Sequence, residues 1–231
     1  MRIWDVSPGY LNDKSLLGEH RELHGIISII QNKKKGYSRH PETMRWRGHE
    51  GALRLRHSFV RTEMQLRGFH DRTPLEAVFP IGFWPTVFID PPERQFSILA
   101  EKYKGKQQGR IPLPINVQEL WAQHKYSILA RDPQIYTSLG RLAATDTSRT
   151  TFNRVAMSLT SLLRVQPSEG GLQNALQHMW GYVNTFHPPD NSEEDLQNPG
   201  NLLATIQDLV QIHNVTYLLR STALSELQAW L

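Results

Sequence analysis

The sequence contains no cysteine, which excludes a disulfide framework, thiolate catalysis and any cysteine-built metal site. No run approaches the roughly 18 apolar residues of a membrane span, and the opening Met-Arg-Ile-Trp-Asp lacks the apolar core of a secretory leader. A soluble chain in a reducing cell, with no membrane partner, is the expectation. Strand-like alternation of apolar and polar residues is missing too, so an all-α fold with irregular loops is predicted. Acidic charge is scarce in one half only. Residues 1–110 hold 19 Lys and Arg against 12 Asp and Glu, whereas residues 111–231 hold 7 against 10. A basic half joined to a mildly acidic one points to a polyanion partner for the first, with nucleic acid ahead of an anionic membrane surface.

Local signals divide the 231 residues further. Asn12 or Asp13 is an N-cap for a helix running to about Gln31, with Lys33, Lys34 and Lys35 in its last turn, where they complement the helix dipole and can meet phosphates. A loop or short helical turn over residues 36–46 carries Arg39, His40, Arg45 and Trp46, cations interleaved with an aromatic as suits a gripped backbone and a stacked base. Helices are also expected over about 51–67, closed by Gly68, and about 91–104, with an irregular, Pro-punctuated, core-covering loop over 74–92 between them. Ile111-Pro-Leu-Pro114 reads as a stiff linker, giving domains at 1–110 and 117–231 joined by 111–116. The second domain is predicted to be a helical bundle, with helices over about 117–130, 133–144, 149–165, 171–186, 200–213 and 215–230.

Chemistry concentrates in the first helix. Helical spacing places Ser15, Glu19, Glu22 and Ile26 on one face, so two carboxylates lead into an apolar stripe. Such carboxylates must be paired or used, and Arg21 and His20 are the neighbours that supply pairing if the helix is an ordinary amphipathic one. His20 and His24 share the i, i+4 spacing of a zinc-protease helix. However, Glu22 is not directly after the first histidine, and spacing suggests no third ligand, so no metal is expected.

Met1-Arg-Ile3, then Leu16-Leu-Gly-Glu-His-Arg-Glu-Leu23, Gly36-Tyr-Ser-Arg-His-Pro-Glu-Thr-Met-Arg-Trp46 and Leu66-Arg-Gly-Phe69, resemble the pyrimidine-dimer DNA glycosylase family of the phage endonuclease V type, over roughly residues 1–110. The resemblance implies an endonuclease V-like helical domain acting on damaged double-stranded DNA, with pyrimidine dimers the first candidate lesion. It implies glycosylase and apurinic/apyrimidinic lyase chemistry without a cofactor, in a cytoplasmic, nucleoid-associated bacterial setting. The family's nucleophile is an N-terminal amine. An α-amine, with a reference pKa of about 7.7–8.0, is substantially neutral near pH 7, where a lysine at about 10.4 is not. Arg2 is a bulky second residue of the kind that prevents methionine removal, so Met1 itself is expected to supply the amine.

Glu22 matches the family's catalytic glutamate, Arg21 an arginine that holds the backbone near the lesion, and Arg2 another at the mouth of the site. Two positions depart from the family: Gly25 stands where the phage pattern has a further arginine, and Ser15 where it has a histidine. His20, His24, Arg39 and His40 are the side chains available to compensate. In the second half, Trp121-Ala-Gln-His-Lys-Tyr-Ser-Ile-Leu-Ala-Arg131 and His178-Met-Trp-Gly-Tyr182 resemble an uncharacterised bacterial helical family, found alone or fused to a thiouracil desulfidase-like domain. Its polar cluster would comprise His124, Lys125, Tyr126, His178 and Tyr182. No reaction follows from that resemblance, and a protein partner or second nucleic-acid contact is its expected contribution. The alternatives to an enzyme are a DNA-binding or protein-interaction module without catalysis, or an RNA-directed protein targeted by its second domain.

Overall fold

The computed structural model describes residues 1–73, 75, 82–187 and 195–231, and the regular elements among them are all helices, without a strand. The chain divides into two compact units, Met1–Gly109 and Arg110–Leu231. None of the described helices is long and apolar enough to cross a membrane.

In the first unit an extended arm, turned by a short 3-10 segment at Pro8–Tyr10, enters α1, Asp13–Gln31. Asn12 caps that helix, its side chain accepting from the Ser15 amide at 3.0 Å. α1 ends at Gln31, two positions before Lys33. Lys33 adopts a left-handed conformation with φ of 49°, and the Lys34 amide reaches back to the Ile29 carbonyl at 3.0 Å. The three lysines therefore follow the last turn and stand exposed beyond it. α2, Pro41–Trp46, and α3, Glu50–Leu66, come next. Gly68, at φ 79°, closes α3, with its own amide on Gln65 and the Phe69 amide on Met64, both at 2.9 Å. α4, Pro92–Lys102, completes the unit.

α1 packs on α3, burying Leu16, Leu23, Ile26 and Ile27 of the first and Leu53, Phe59, Val60 and Met64 of the second. Within the segment expected to cover the core, residues 74 and 76–81 lie outside the described residues. In the described remainder, the Trp84 ring lies parallel to Phe59 at 6.4 Å and edge-on to Trp46 at 5.8 Å. Gly109 must be glycine, because a Cβ there would sit 2.5 Å from the Tyr10 carbonyl.

In the second unit, α5, Val117–Leu129, packs against α6, Pro133–Thr145, α7, Arg149–Leu162, and α8, Glu169–Trp180. α9, Pro199–Ile212, packs on α8. Asp132, Ser148, Ser168 and Asn198 cap α6 to α9, each accepting from amides of the first turn. The single helix expected over 215–230 is instead broken into α10, Thr216–Leu219, α11, Ala223–Glu226, and a 3-10 turn. The break has a physical cause in Thr222. Its amide and hydroxyl both donate to the Gln123 carbonyl, at 2.8 and 3.1 Å, and its hydroxyl meets Ser127 at 3.0 Å, so hydrogen-bonding capacity is diverted from the helix to α5. The helix expected to run to 186 stops at Trp180.

His124 on α5 is buried, its Nδ1 2.8 Å from the Leu120 carbonyl, and burial pushes its pKa down from 6.5 to about 4. Above about pH 6.5 the ring is neutral folded or unfolded and contributes nothing to pH dependence. Between about pH 6.5 and 4 the unfolded chain takes up the proton first, so this ring should remove up to about 3 kcal/mol of stability. Denaturant midpoints measured across that range should fall less steeply for His124→Phe than for the parent. Parallel curves would mean that the ring accepts a proton in place.

Candidate active site

The arm and α1 are joined by two carboxylates. In an extended segment alternate residues turn their N–H groups to the same side, and Glu19 and Glu22 lie one above the other on α1. The Trp4 amide donates to Glu19 at 3.1 Å, and the Arg2 amide donates to Glu22. The second contact places the terminal residue next to the Glu22 carboxylate, which is part-buried. The Arg2 guanidinium pairs with Asp90 and lies 4.7 Å over the Trp4 ring.

Neither Arg21 nor His20 pairs with Glu19. Its partner is Arg56 from α3, which donates to both carboxylate oxygens at 2.8 and 3.0 Å and to the Val6 carbonyl at 2.9 Å. Burial raises the Glu19 pKa, and Arg56 is the main opposing influence. The same device recurs twice. Arg45 pairs with Asp5 and Glu42 while donating to the Ile3 carbonyl at 3.4 Å. Arg67 pairs with Glu63 and Asp13 while donating to the carbonyls of Pro8, Gly9 and Leu11, at 3.4, 3.2 and 2.7 Å. Gln95 completes the clamp by binding both the backbone amide and the side chain of Asp5 at 2.8 Å. Three arginines of the basic half thus hold the arm and are neutralised inside the unit.

This arrangement corrects two expected DNA contacts. Trp46 is fully buried, its Nε1 donating to Glu42 at 3.1 Å, so it packs the core and offers no face to a base. Arg45, with a side chain 2% exposed and two carboxylate partners, offers no charge to a phosphate. Arg21 is exposed on α1, its Nε donating to the Leu17 carbonyl at 3.3 Å. Arg39 and His40 line an open groove with Lys35, Tyr37 and Ser38, and His40 also caps α2 by accepting from the Glu42 amide at 3.1 Å. Lys33 and Lys34 are exposed, Lys34 donating to Ser28 at 2.8 Å. A Cβ at Gly25 would meet nothing within 4 Å, so α1 is open at that position.

His20 and His24 turn toward His57 of α3, the three ring centroids 4.7 to 4.9 Å apart, with Asp71 beside them. Burial and the two neighbouring imidazoles push the His57 pKa down to about 3, and burial followed by His20 lowers that of His24. Burial works against ionisation of Asp71, but the Thr73 amide and the three imidazoles outweigh it and hold the carboxyl below its usual range. Sequence spacing offered no sign of His57 or Asp71, because both arrive through tertiary packing.

Residues 1–77 match the family model of pyrimidine dimer DNA glycosylases. The matched segment contains the arm, α1, α2, α3 and the histidine cluster. A second family model, described as a protein of unknown function (DUF1722), matches residues 125–227. No curated protein and no solved structure matches the chain. Within the second match, Lys125 lies 4.7 Å from the rings of both Tyr126 and Tyr217, and Tyr182 stacks on Tyr217 at 4.8 Å. Tyr217 is the member the sequence did not suggest. His124 is buried beside Leu120, and His178 is exposed on α8.

Proposed function

We propose that the first unit is a DNA glycosylase with apurinic/apyrimidinic lyase activity, acting on damaged duplex DNA and first of all on pyrimidine dimers. The supporting observation is the Arg2 amide donating to Glu22, one residue along the backbone from the Met1 amine. The α-amine of Met1 attacks the sugar C1′, the glycosidic bond breaks, and the base leaves with the bonding pair. Loss of the amine's remaining protons and opening of the ring give an imine. Removal of a C2′ proton then expels the 3′ phosphate. Glu22 stabilises positive charge developing at the sugar, delivers a proton to the ring oxygen and carries the proton of the elimination step. Reaching C1′ requires the nucleotide to leave the stack. Arg2 and Arg21 hold the backbone beside the lesion, while Lys33, Lys34, Lys35, Arg39 and His40 carry the flanking phosphates.

The test is a blocked terminus. Acetylation of the α-amine, or a peptide left fused ahead of Met1, should abolish both borohydride trapping of a protein–DNA adduct and strand nicking, while duplex binding stays within about 3-fold, since one charge among many phosphate contacts is lost. Nicking of dimer-containing or abasic DNA at the parent rate by the blocked protein would refute the assignment of the amine.

A further inference from the structure

We propose that His20, His24, His57 and Asp71 form a structural binding site for a zinc-class divalent metal ion. The potential ligand atoms of the four side chains all lie within 4.8 Å of one another. Individual separations are 3.1 Å from His24 Nε2 to His57 Nε2, 3.3 Å from His20 Nε2 to Asp71 Oδ1, and 3.6 Å from His57 Nε2 to Asp71 Oδ2. Nitrogen and oxygen ligands about 2.0–2.1 Å from a tetrahedral zinc stand about 3.3–3.4 Å from each other, so the spacing already has the scale of a coordination shell.

Hydrogen bonding leaves part of this cluster unused. His20 Nε2 and Asp71 Oδ2 are buried without a hydrogen-bond partner, a costly state for polar atoms in a well-packed unit. The His57 side chain has no exposure at all, and that of Asp71 only 2%. Between His24 and His57 two ring nitrogens face each other, where a single proton can serve both. A cation accepts all of these lone pairs at once.

The donor set selects the metal. Three imidazole nitrogens and one carboxylate suit zinc, cobalt, nickel or copper, whereas magnesium and calcium require mostly oxygen. Four protein ligands also fill a tetrahedral shell, the arrangement of a structural rather than a catalytic ion. His24 is the most accessible member, with Thr73 Oγ1 3.2 Å from its Nε2, so the ion would enter past Thr73. Once bound, it would tie the segment after α3 to the stretch of α1 that carries Glu22. This inference does not depend on the glycosylase reading.

The experiment uses tag-free full-length protein, stripped with a chelator and then titrated with zinc or cobalt chloride. The expected results are one metal ion bound per chain, a raised thermal midpoint, and with cobalt the visible absorption bands of a tetrahedral nitrogen–oxygen site. His24→Gln and Asp71→Asn should each weaken binding by at least about 10-fold, as loss of a ligand costs no less than loss of an outer-shell partner. His24 is at the rim, so its variant keeps the test open even if Asp71→Asn disturbs folding. Two results would overturn the proposal: folded parent protein that takes up no metal, or uptake that is equal in the parent and in the folded variants, which would place the ion on other histidines.

Discussion

Glu22→Gln should slow turnover on dimer-containing or abasic duplex by about 100-fold or more while leaving duplex affinity within a few-fold. The amide keeps an oxygen to accept from the Arg2 backbone N–H, so the arm retains its anchor and only the negative charge disappears. In the proposed mechanism that charge acts first against the cationic sugar and later as the acceptor of the C2′ proton. Single-turnover nicking assays, read beside thermal melts, separate the two roles. A parent-like rate would remove Glu22 from the mechanism. A fall in melting temperature that parallels the fall in rate would make it an arm-holding residue. The variant differs from the blocked terminus in one further respect: its free amine should still form a trappable adduct with preformed abasic sites, slowly.

Arg56→Met should cost about 3–5 kcal/mol of folding stability, the usual result of stranding a buried charge by removing its partner. Glu19 has no exposed side-chain surface, and Arg56 both satisfies its two oxygens and donates to the Val6 carbonyl. Methionine fills much of the volume and satisfies none of these atoms. Chemical denaturation gives the loss, and the double variant Glu19→Gln/Arg56→Met should recover part of it, since the stranded charge is gone. A deficit below about 1 kcal/mol, the range of surface pairs, would mean that water reaches Glu19 when Arg56 is absent.

Helix positions were legible in the sequence wherever local chemistry fixes them. Asn12, one of the two residues expected to cap α1, does so, and Gly68 ends α3 because only a left-handed residue closes that turn without strain. Residues 215–230 were misread because Thr222 exchanges a helical partner for the Gln123 carbonyl, a choice made by packing and invisible in local pattern. The candidate site divides in the same way. The shared face of Glu19 and Glu22 follows from helical periodicity, yet the division of labour between them depends on Arg56, 37 positions away. Charge counting could not set Arg45, Arg56 and Arg67 apart, since composition does not distinguish an arginine facing phosphate from one facing a buried carboxylate.

The clamp on the arm carries a consequence for the order in which the unit can assemble. Beyond α1, the arm's hydrogen bonds join it to Arg45, Arg56, Arg67, Gln95, Tyr103 and Gln107, across sequence separations of 40 to 95 positions. Closing loops of that length costs chain entropy before any contact is gained, whereas the arm meets α1 across only 15 positions at Trp4–Glu19 and 20 at Arg2–Glu22. The arm can therefore reach α1 before the clamp forms. In a partly folded chain the Arg2 amide and the Glu22 carboxylate already share one local segment, and the clamp fixes them there once α3 and residues 95–107 have packed.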